Sequence, residues 1–167
     1  STCLALRRPL TFAVPTGNFG DVFAGYVAKQ MGAPIQKLIV ATNANDILAR
    51  ALATGAYARR EVHATLSPAM DIQVASNFER MLFEAHGRDP AVLRDLMAQF
   101  ASTGELKIKP EALDLMREVF AADRVHEGET VATMKLVHRE TGLLVDPHTA
   151  VGLTATRKAA IDEDVVT

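Results

Sequence analysis

A strand, a glycine-bearing loop, a helix and a second strand follow one another without interruption near the start of this chain, and that order restricts the fold more than any other feature. Leu10-Thr11-Phe12-Ala13-Val14 is β-prone and closed by Pro15. Pro15-Thr16-Gly17-Asn18-Phe19-Gly20-Asp21 follows, and then Phe19, Val22, Phe23, Tyr26, Val27 and Met31 recur at spacings of three and four, the pattern of a helix with one buried face. Gly32 and Pro34 stand where a C-terminal glycine and a following proline stop a helix. Lys37 to Thr42 is again strand-like. The strand–helix–strand order predicts a parallel pair with a right-handed crossover, and so an α/β fold of parallel strands with flanking helices.

The loop has the makings of an anion site. Glycines let the backbone approach a ligand closely, and the free N–H groups and dipole of a helix's first turn favour negative charge. Such a loop needs no lysine or arginine, and this one has none. Gly17 and Gly20 lack the third glycine of G-x-G-x-x-G, and G-x-x-x-x-G-K-[ST] is absent. On these residues alone, a tight turn and a phosphate cup both remain open.

Beyond residue 42 the pattern is mostly helical. Asp46 to Thr54 carries Ile47, Leu48, Ala51 and Leu52 on one face and stops at Gly55. Phe78, Met81, Leu82 and Ala85 repeat at helical spacing and end near Gly87. Asp89-Pro90 opens a helix that buries Val92, Leu93, Leu96, Met97 and Phe100. Lys107-Ile108-Lys109-Pro110 reads as a solvated loop entering a helix through Leu113, Met116, Val119 and Phe120. Another helix runs from Thr130 to Glu140 and stops at Gly142, and Asp146-Pro147 caps a last one through Lys158. Helices are expected to outnumber strands by a wide margin.

The remaining polar residues carry weaker signals. Thr42-Asn43-Ala44-Asn45-Asp46 follows a strand, where α/β sheets place ligands, but these residues equally cap a helix. Arg80 stands one turn from Glu84 and pairs either with it or with a bound phosphate. His63, His86, His126 and His138 show no metal-ligand spacing, so no metal site is expected, and His148 sits in a capping turn. No Gly-x-Ser-x-Gly elbow is present. With 49% hydrophobic and 23% charged residues and a net charge of -2, the chain suits one globular domain, not a nucleic-acid or anionic-membrane binder. Its longest apolar runs are short, and the methionines sit mostly at core positions. Cys3 is the only cysteine, which points to a reducing cytoplasm.

Longer motifs sharpen the functional reading. The stretch from Val14 through Gly17-Asn18-Phe19-Gly20-Asp21 to Tyr26, and Ile39-Val40-Ala41-Thr42-Asn43-Ala44-Asn45-Asp46-Ile47-Leu48 after it, resemble bacterial and fungal threonine synthase. Thr65-Leu66-Ser67-Pro68-Ala69-Met70-Asp71-Ile72, Ser76-Asn77-Phe78-Glu79-Arg80 and Val145-Asp146-Pro147-His148-Thr149-Ala150-Val151-Gly152 match in the same order. The resemblance covers about Leu10 to Ala159. It implies the tryptophan-synthase-β-like fold (fold type II) and pyridoxal 5'-phosphate as cofactor. It also implies a lyase that converts O-phosphohomoserine and water to threonine and phosphate. The family cups the cofactor phosphate with the residues equivalent to Gly17, Asn18, Phe19 and Gly20, with Asp21 adjoining; family members vary between Asn and Asp at that position. By the same analogy His148 faces the cofactor side, with a bare capping turn as the alternative.

The family's Schiff-base lysine stands in a Phe-Lys-Asp context well before the phosphate loop. Sixteen residues precede Gly17 here and none is lysine; Lys29, Lys37, Lys107, Lys109, Lys135 and Lys158 all follow and lack that context. The family's C-terminal segment near the pyridine nitrogen is missing as well, and Asp162-Glu163-Asp164-Val165-Val166-Thr167 resembles the entrance to the strand before it. Residues 1–167 are therefore expected to be a single incomplete cofactor-binding domain, inactive alone, whose partner is the rest of the parent enzyme. The catalytic residues are unknown from this chain. The alternatives are a non-catalytic phosphate- or cofactor-binding module and a structural half that needs a complementary chain.

Overall fold

The computed structural model describes residues 9–159 and 165–167. Cys3 and Asp162-Glu163-Asp164 lie outside them. A four-stranded sheet in the order β5-β2-β1-β6 forms the centre, from β1 (Leu10–Pro15), β2 (Ile35–Thr42), β5 (Phe120–Arg124) and β6 (Val165–Val166). Every pairing in it is parallel, with Phe12 opposite Leu38, Val14 opposite Val40, and Leu38 opposite Phe120.

Strand β2 explains why its sequence reads as an unbroken apolar run. Leu38, Ile39, Val40 and Ala41 are each 1% exposed or less, because both faces of the sheet are covered. Leu38 and Val40 join Phe19, Val22, Phe78 and Phe120 in one core, whereas Ile39 and Ala41 join Ala13, Met70, Val125, Val151 and Ala155 in another. The period of two sends alternate residues to opposite layers.

Helix α1 (Gly20–Gln30) connects β1 to β2, and Phe19 is its N-cap. Its buried face is narrower than the periodicity predicts. Phe19 and Val22 are fully enclosed, but Val27 is 40% exposed and Met31 83%. Helix α2 (Ile47–Thr54) ends on left-handed Gly55, and Ile47, Leu48, Ala51 and Leu52 are its buried residues. Helix α3 (Phe78–Ala85) buries the four predicted residues, and the Asp89 side chain accepts from the N–H groups of Ala91 and Val92 at the start of α4 (Pro90–Thr103).

Three short strands depart from the expected helical stretch. β3 (Ala56–Ala58) and β4 (Glu105–Lys107) form an antiparallel pair, with Tyr57 opposite Leu106. Lys107 is thus in a strand and Ile108 is 2% exposed, whereas Lys107, Lys109 and Pro110 are exposed, so the predicted solvated entry to the helix holds except at Ile108. Helix α5 (Pro110–Val119) passes directly into β5, which puts Phe120 in a strand and not at a helix end. Seven α-helices and six strands occur among the described residues, a near balance in place of the helical excess.

Helix α6 (Glu127–Thr141) begins three residues before the predicted start, because a capping box between His126 and Glu129 satisfies its first N–H groups. Helix α7 (Pro147–Lys158) packs against α6 and β1, and Thr133 and Thr154 share a buried hydroxyl–hydroxyl bond of 2.7 Å between those two helices. No helix of the described residues is long and apolar enough to cross a membrane.

Candidate functional site

The C-terminal ends of β1 and β2 carry the site, the edge where parallel sheets place ligands. Thr16 joins them: its N–H donates to the Ala41 carbonyl at 2.8 Å and its hydroxyl to the Val14 carbonyl at 2.6 Å. The chain then makes the turn Gly17-Asn18-Phe19 and enters α1. The turn is bent by a residue that sequence logic does not choose for the task. Neither Gly17 nor Gly20 adopts a positive φ, whereas Phe19 stands at φ 70 and ψ 7 in the left-handed region. That conformation costs a non-glycine residue about 1 kcal/mol. Burial offsets it, since the Phe19 ring is 0% exposed, edge-on to Phe78 at 5.2 Å and against Phe120 at 5.5 Å.

The glycines are required for room instead. A Cβ on Gly17 would lie 2.7 Å from the Ala69 carbonyl oxygen and 3.3 Å from the Met70 Cα. One on Gly20 would lie 3.0 Å from the Asn18 Oδ1, which accepts from the Gly20 N–H at 2.9 Å. Asn18 also accepts through its carbonyl from the Asn77 N–H at 3.0 Å, which ties the turn to the start of α3. The N–H groups of Gly17, Asn18 and Phe19 have no acceptor among the described residues. A bare cluster of backbone donors at the positive end of a helix is suited to the oxygens of a phosphate group.

A cavity of about 420 Å³ opens beside the turn, lined by Pro15, Gly17, Asn18, Asp21, Ala69, Met70 and His148 among others. Gly17, Asn18 and Asp21 are thus brought to one wall, while Phe19 supports that wall from the core and Gly20 begins the helix. Asp21 is exposed and its carboxylate has no hydrogen-bond partner among the described residues. It favours the helix N-terminus but opposes an incoming anion.

Ala69 and Met70 form one wall of the cavity, and a polar network holds their segment in place. Asn43, Asn45, Thr65, Ser67 and Asp71 form this network. The Asp71 Oδ1 accepts from the Thr65 hydroxyl at 2.6 Å, the Asn43 amide at 2.8 Å and the Asn45 amide at 3.0 Å, and its Oδ2 accepts from the Thr65 N–H at 2.8 Å. Burial alone would raise the Asp71 pKa; the hydrogen bonds from Thr65, Asn43 and Asn45 outweigh it and hold the carboxyl below its ordinary value. Asn45 additionally clamps His63, taking its N–H at 2.9 Å and donating to its carbonyl at 2.9 Å. Asn43 and Asn45 therefore act as struts, and neither side chain caps α2. Asp46 pairs with Arg50 at 2.8 Å and Arg124 at 3.3 Å.

Two side chains bear on the expectations drawn from sequence. Arg80 does not pair with Glu84. The guanidinium of Arg80 lies over the Phe23 ring at 5.7 Å, and Glu84 pairs with Arg88 at 3.0 Å. His148, absent from the predicted site set, lines the cavity. Its Nδ1 bonds the Asp146 Oδ1 at 2.7 Å, and its Nε2 accepts from the Ala69 N–H at 3.2 Å. The Asp-Pro-His-Thr signal left two readings open, a bare cap and a residue facing the cofactor side, because a cap explains the aspartate without needing the imidazole. No lysine lines the cavity among the described residues.

No family model matches the chain. Threonine synthase of Pseudomonas aeruginosa is 46% identical over 154 residues, which covers 92% of this chain and 33% of that protein. A crystal structure of pyridoxal-phosphate-bound threonine synthase from Brucella melitensis superposes with a TM-score of 0.95 at 50% identity, covering 99% of this chain and 37% of that one. Threonine synthase from yeast gives a TM-score of 0.86 at 40% identity, over 90% of this chain and 32% of that one. The chain spans about a third of the length of the curated relatives it matches.

Proposed function

We propose that this chain, which is homologous over about nine-tenths of its length to threonine synthases, contributes the phosphate cup of a pyridoxal-phosphate enzyme of that kind. Its parallel sheet with flanking helices is the fold-type-II arrangement of those relatives. The observation that carries the reading is the bare turn at Gly17-Asn18-Phe19, with its Cβ-sized space already filled by the Ala69 carbonyl.

Gly17, Asn18 and Phe19 would hold the cofactor's phosphate through backbone N–H groups, while Gly20, whose own N–H is taken by the Asn18 Oδ1, gives the turn its room, with Asp21 adjoining. Bound pyridoxal phosphate supplies an electron sink for carbanion chemistry at substrate carbons. The residues of this chain would do three other things. The backbone donors of the turn orient the cofactor by one end, and Phe19, locked in the aromatic core, keeps them in place. The segment at Ala69-Met70 walls one side of the cup. Asp21 tunes the local charge at the mouth.

The reaction assigned is conversion of O-phosphohomoserine and water to threonine and phosphate, in the cytoplasm. It needs an amine that holds the cofactor covalently, and the cavity walls offer none. On this reading residues 1–167 form one part of a single cofactor-binding domain and are inactive alone, and the catalytic lysine belongs to the remainder of the parent enzyme.

The direct test supplies O-phosphohomoserine and pyridoxal phosphate to the protein that carries this chain. Threonine and inorganic phosphate are expected in equal amounts, and both should vanish when the cofactor is withheld. Release of phosphate without threonine, with cofactor bound, would overturn the reaction assignment while leaving the cup intact.

A further inference from the structure

The main chain of Ala69 is fixed through both of its peptide units. Its carbonyl oxygen occupies the space that a Cβ on Gly17 would need, and its N–H donates to the His148 Nε2 at 3.2 Å. On the far side of the imidazole, Nδ1 meets the Asp146 Oδ1 at 2.7 Å. An Nε2 that accepts and an Nδ1 that faces a carboxylate assign the proton to Nδ1, so two bonds fix the neutral tautomer. Asp146 is in turn held by the His148 N–H at 2.7 Å, and its bonds from His148 keep its carboxyl below the ordinary value. With its Nδ1–H given to Asp146 and its Nε2 lone pair committed to Ala69, the imidazole has no donor left for a ligand in the cavity it lines.

We propose that His148 is a positioning residue of the phosphate cup: held in one tautomer by Asp146, it pins the Ala69 peptide against Gly17 and so sets how tightly the cup retains a phosphate monoester. Helix capping does not require this arrangement, because the Asp146 carboxylate caps α7 through the His148 backbone N–H whatever the side chain at 148. The remaining anchors of the turn lie on either side of Ala69. Asp71 and Ser67 belong to the buried network, and Met70, 3% exposed, is seated in the core between the sheet and α7. The exposed peptide between them is the stretch that His148 governs.

The cofactor part of this inference rests on the function proposed above; the contact between His148 and Ala69 does not. Two readouts on the protein that carries this chain separate them: hydrogen exchange of peptides covering residues 67–72, and dissociation constants for pyridoxal phosphate and for inorganic phosphate. His148→Ala should speed exchange at Ala69 and weaken retention of both probes by about tenfold. His148→Gln, whose side-chain oxygen can accept from the same N–H, should restore both to within about threefold of the parent. A glutamine variant as weak as the alanine one, or an alanine variant with unchanged exchange and affinity, would overturn the assignment. Ala69 exchange that responds to residue 148 in a protein that binds neither probe would overturn the cup itself, and with it the affinity clause. Tight binding by all three proteins would overturn the positioning role alone.

Discussion

Gly17→Val should lower the retention of pyridoxal phosphate by roughly 10- to 100-fold in the protein that carries this chain, with a smaller loss for Gly17→Ala. The first added carbon would already stand 2.7 Å from the Ala69 carbonyl oxygen, a backbone atom that cannot rotate away. Overpacking of this kind costs about 1–3 kcal/mol, which corresponds to the stated range if the strain falls on the bound state. Either the turn or the Ala69-Met70 segment must shift, and each shift widens the ring of donors. Two measurements check the result: cofactor remaining after exhaustive dialysis, followed by its absorbance, and thermal denaturation of the cofactor-free protein. Unchanged retention by the valine variant would remove Gly17 from the cup.

Asp71→Asn is expected to cost about 3 kcal/mol of folding stability at neutral pH, the scale of buried hydrogen bonds to a charged acceptor together with donors left facing donors. The carboxylate accepts four bonds from Thr65, Asn43 and Asn45, and an amide in its place turns one acceptor into a donor. The pH dependence has a definite sign. A carboxyl whose folded pKa lies below its unfolded value stabilises the fold above the unfolded value, and that stability drains as pH falls through the folded one. The parent protein should therefore lose stability below about pH 4 through this group, and the asparagine variant should lack that component. Urea denaturation at neutral and acid pH gives the comparison; equal midpoints for both proteins at neutral pH would show that the network contributes nothing.

The parallel core was legible because local rules and tertiary burial agree there. Lys37 to Thr42 reads as a strand parallel to the first and is one, and Gly55, Asp89 and Asp146 end or begin helices where their chemistry predicts. The failures come where tertiary packing decides. Phe120 continues the helical spacing of Leu113 and Met116, yet its ring belongs to the cluster around Phe19, and pairing with Leu38 draws the backbone into the sheet. Ile108 lies between two lysines and carries no sign of burial until Tyr57 and Leu106 pair beside it.

The site shows the same division. Gly17 to Gly20 stand out as a loop that suits an anion, but which residue turns the chain was not readable, because only an enclosing aromatic core lets Phe19 take a glycine's conformation. The roles of Asn43, Asn45 and Asp71 depend on contacts across more than twenty residues, and no local spacing encodes them. Arg80 had an acidic neighbour one turn away, but the aromatic face of Phe23 takes it instead.

The direct passage of α5 into β5 also limits how chains with this architecture can vary in length. Val119 ends the helix and Phe120 starts the strand, and Arg117 near that junction donates to the Leu52 and Ala53 carbonyls at the end of α2. With no spacer to absorb it, one inserted residue would either break the Arg117 clasp or slip β5 by one position and present Phe120 to the opposite layer. The turn around Gly87 and Arg88, both exposed, carries no such coupling. Insertions and deletions among descendants of this chain should therefore collect at that turn and leave the junction at 119–120 uniform.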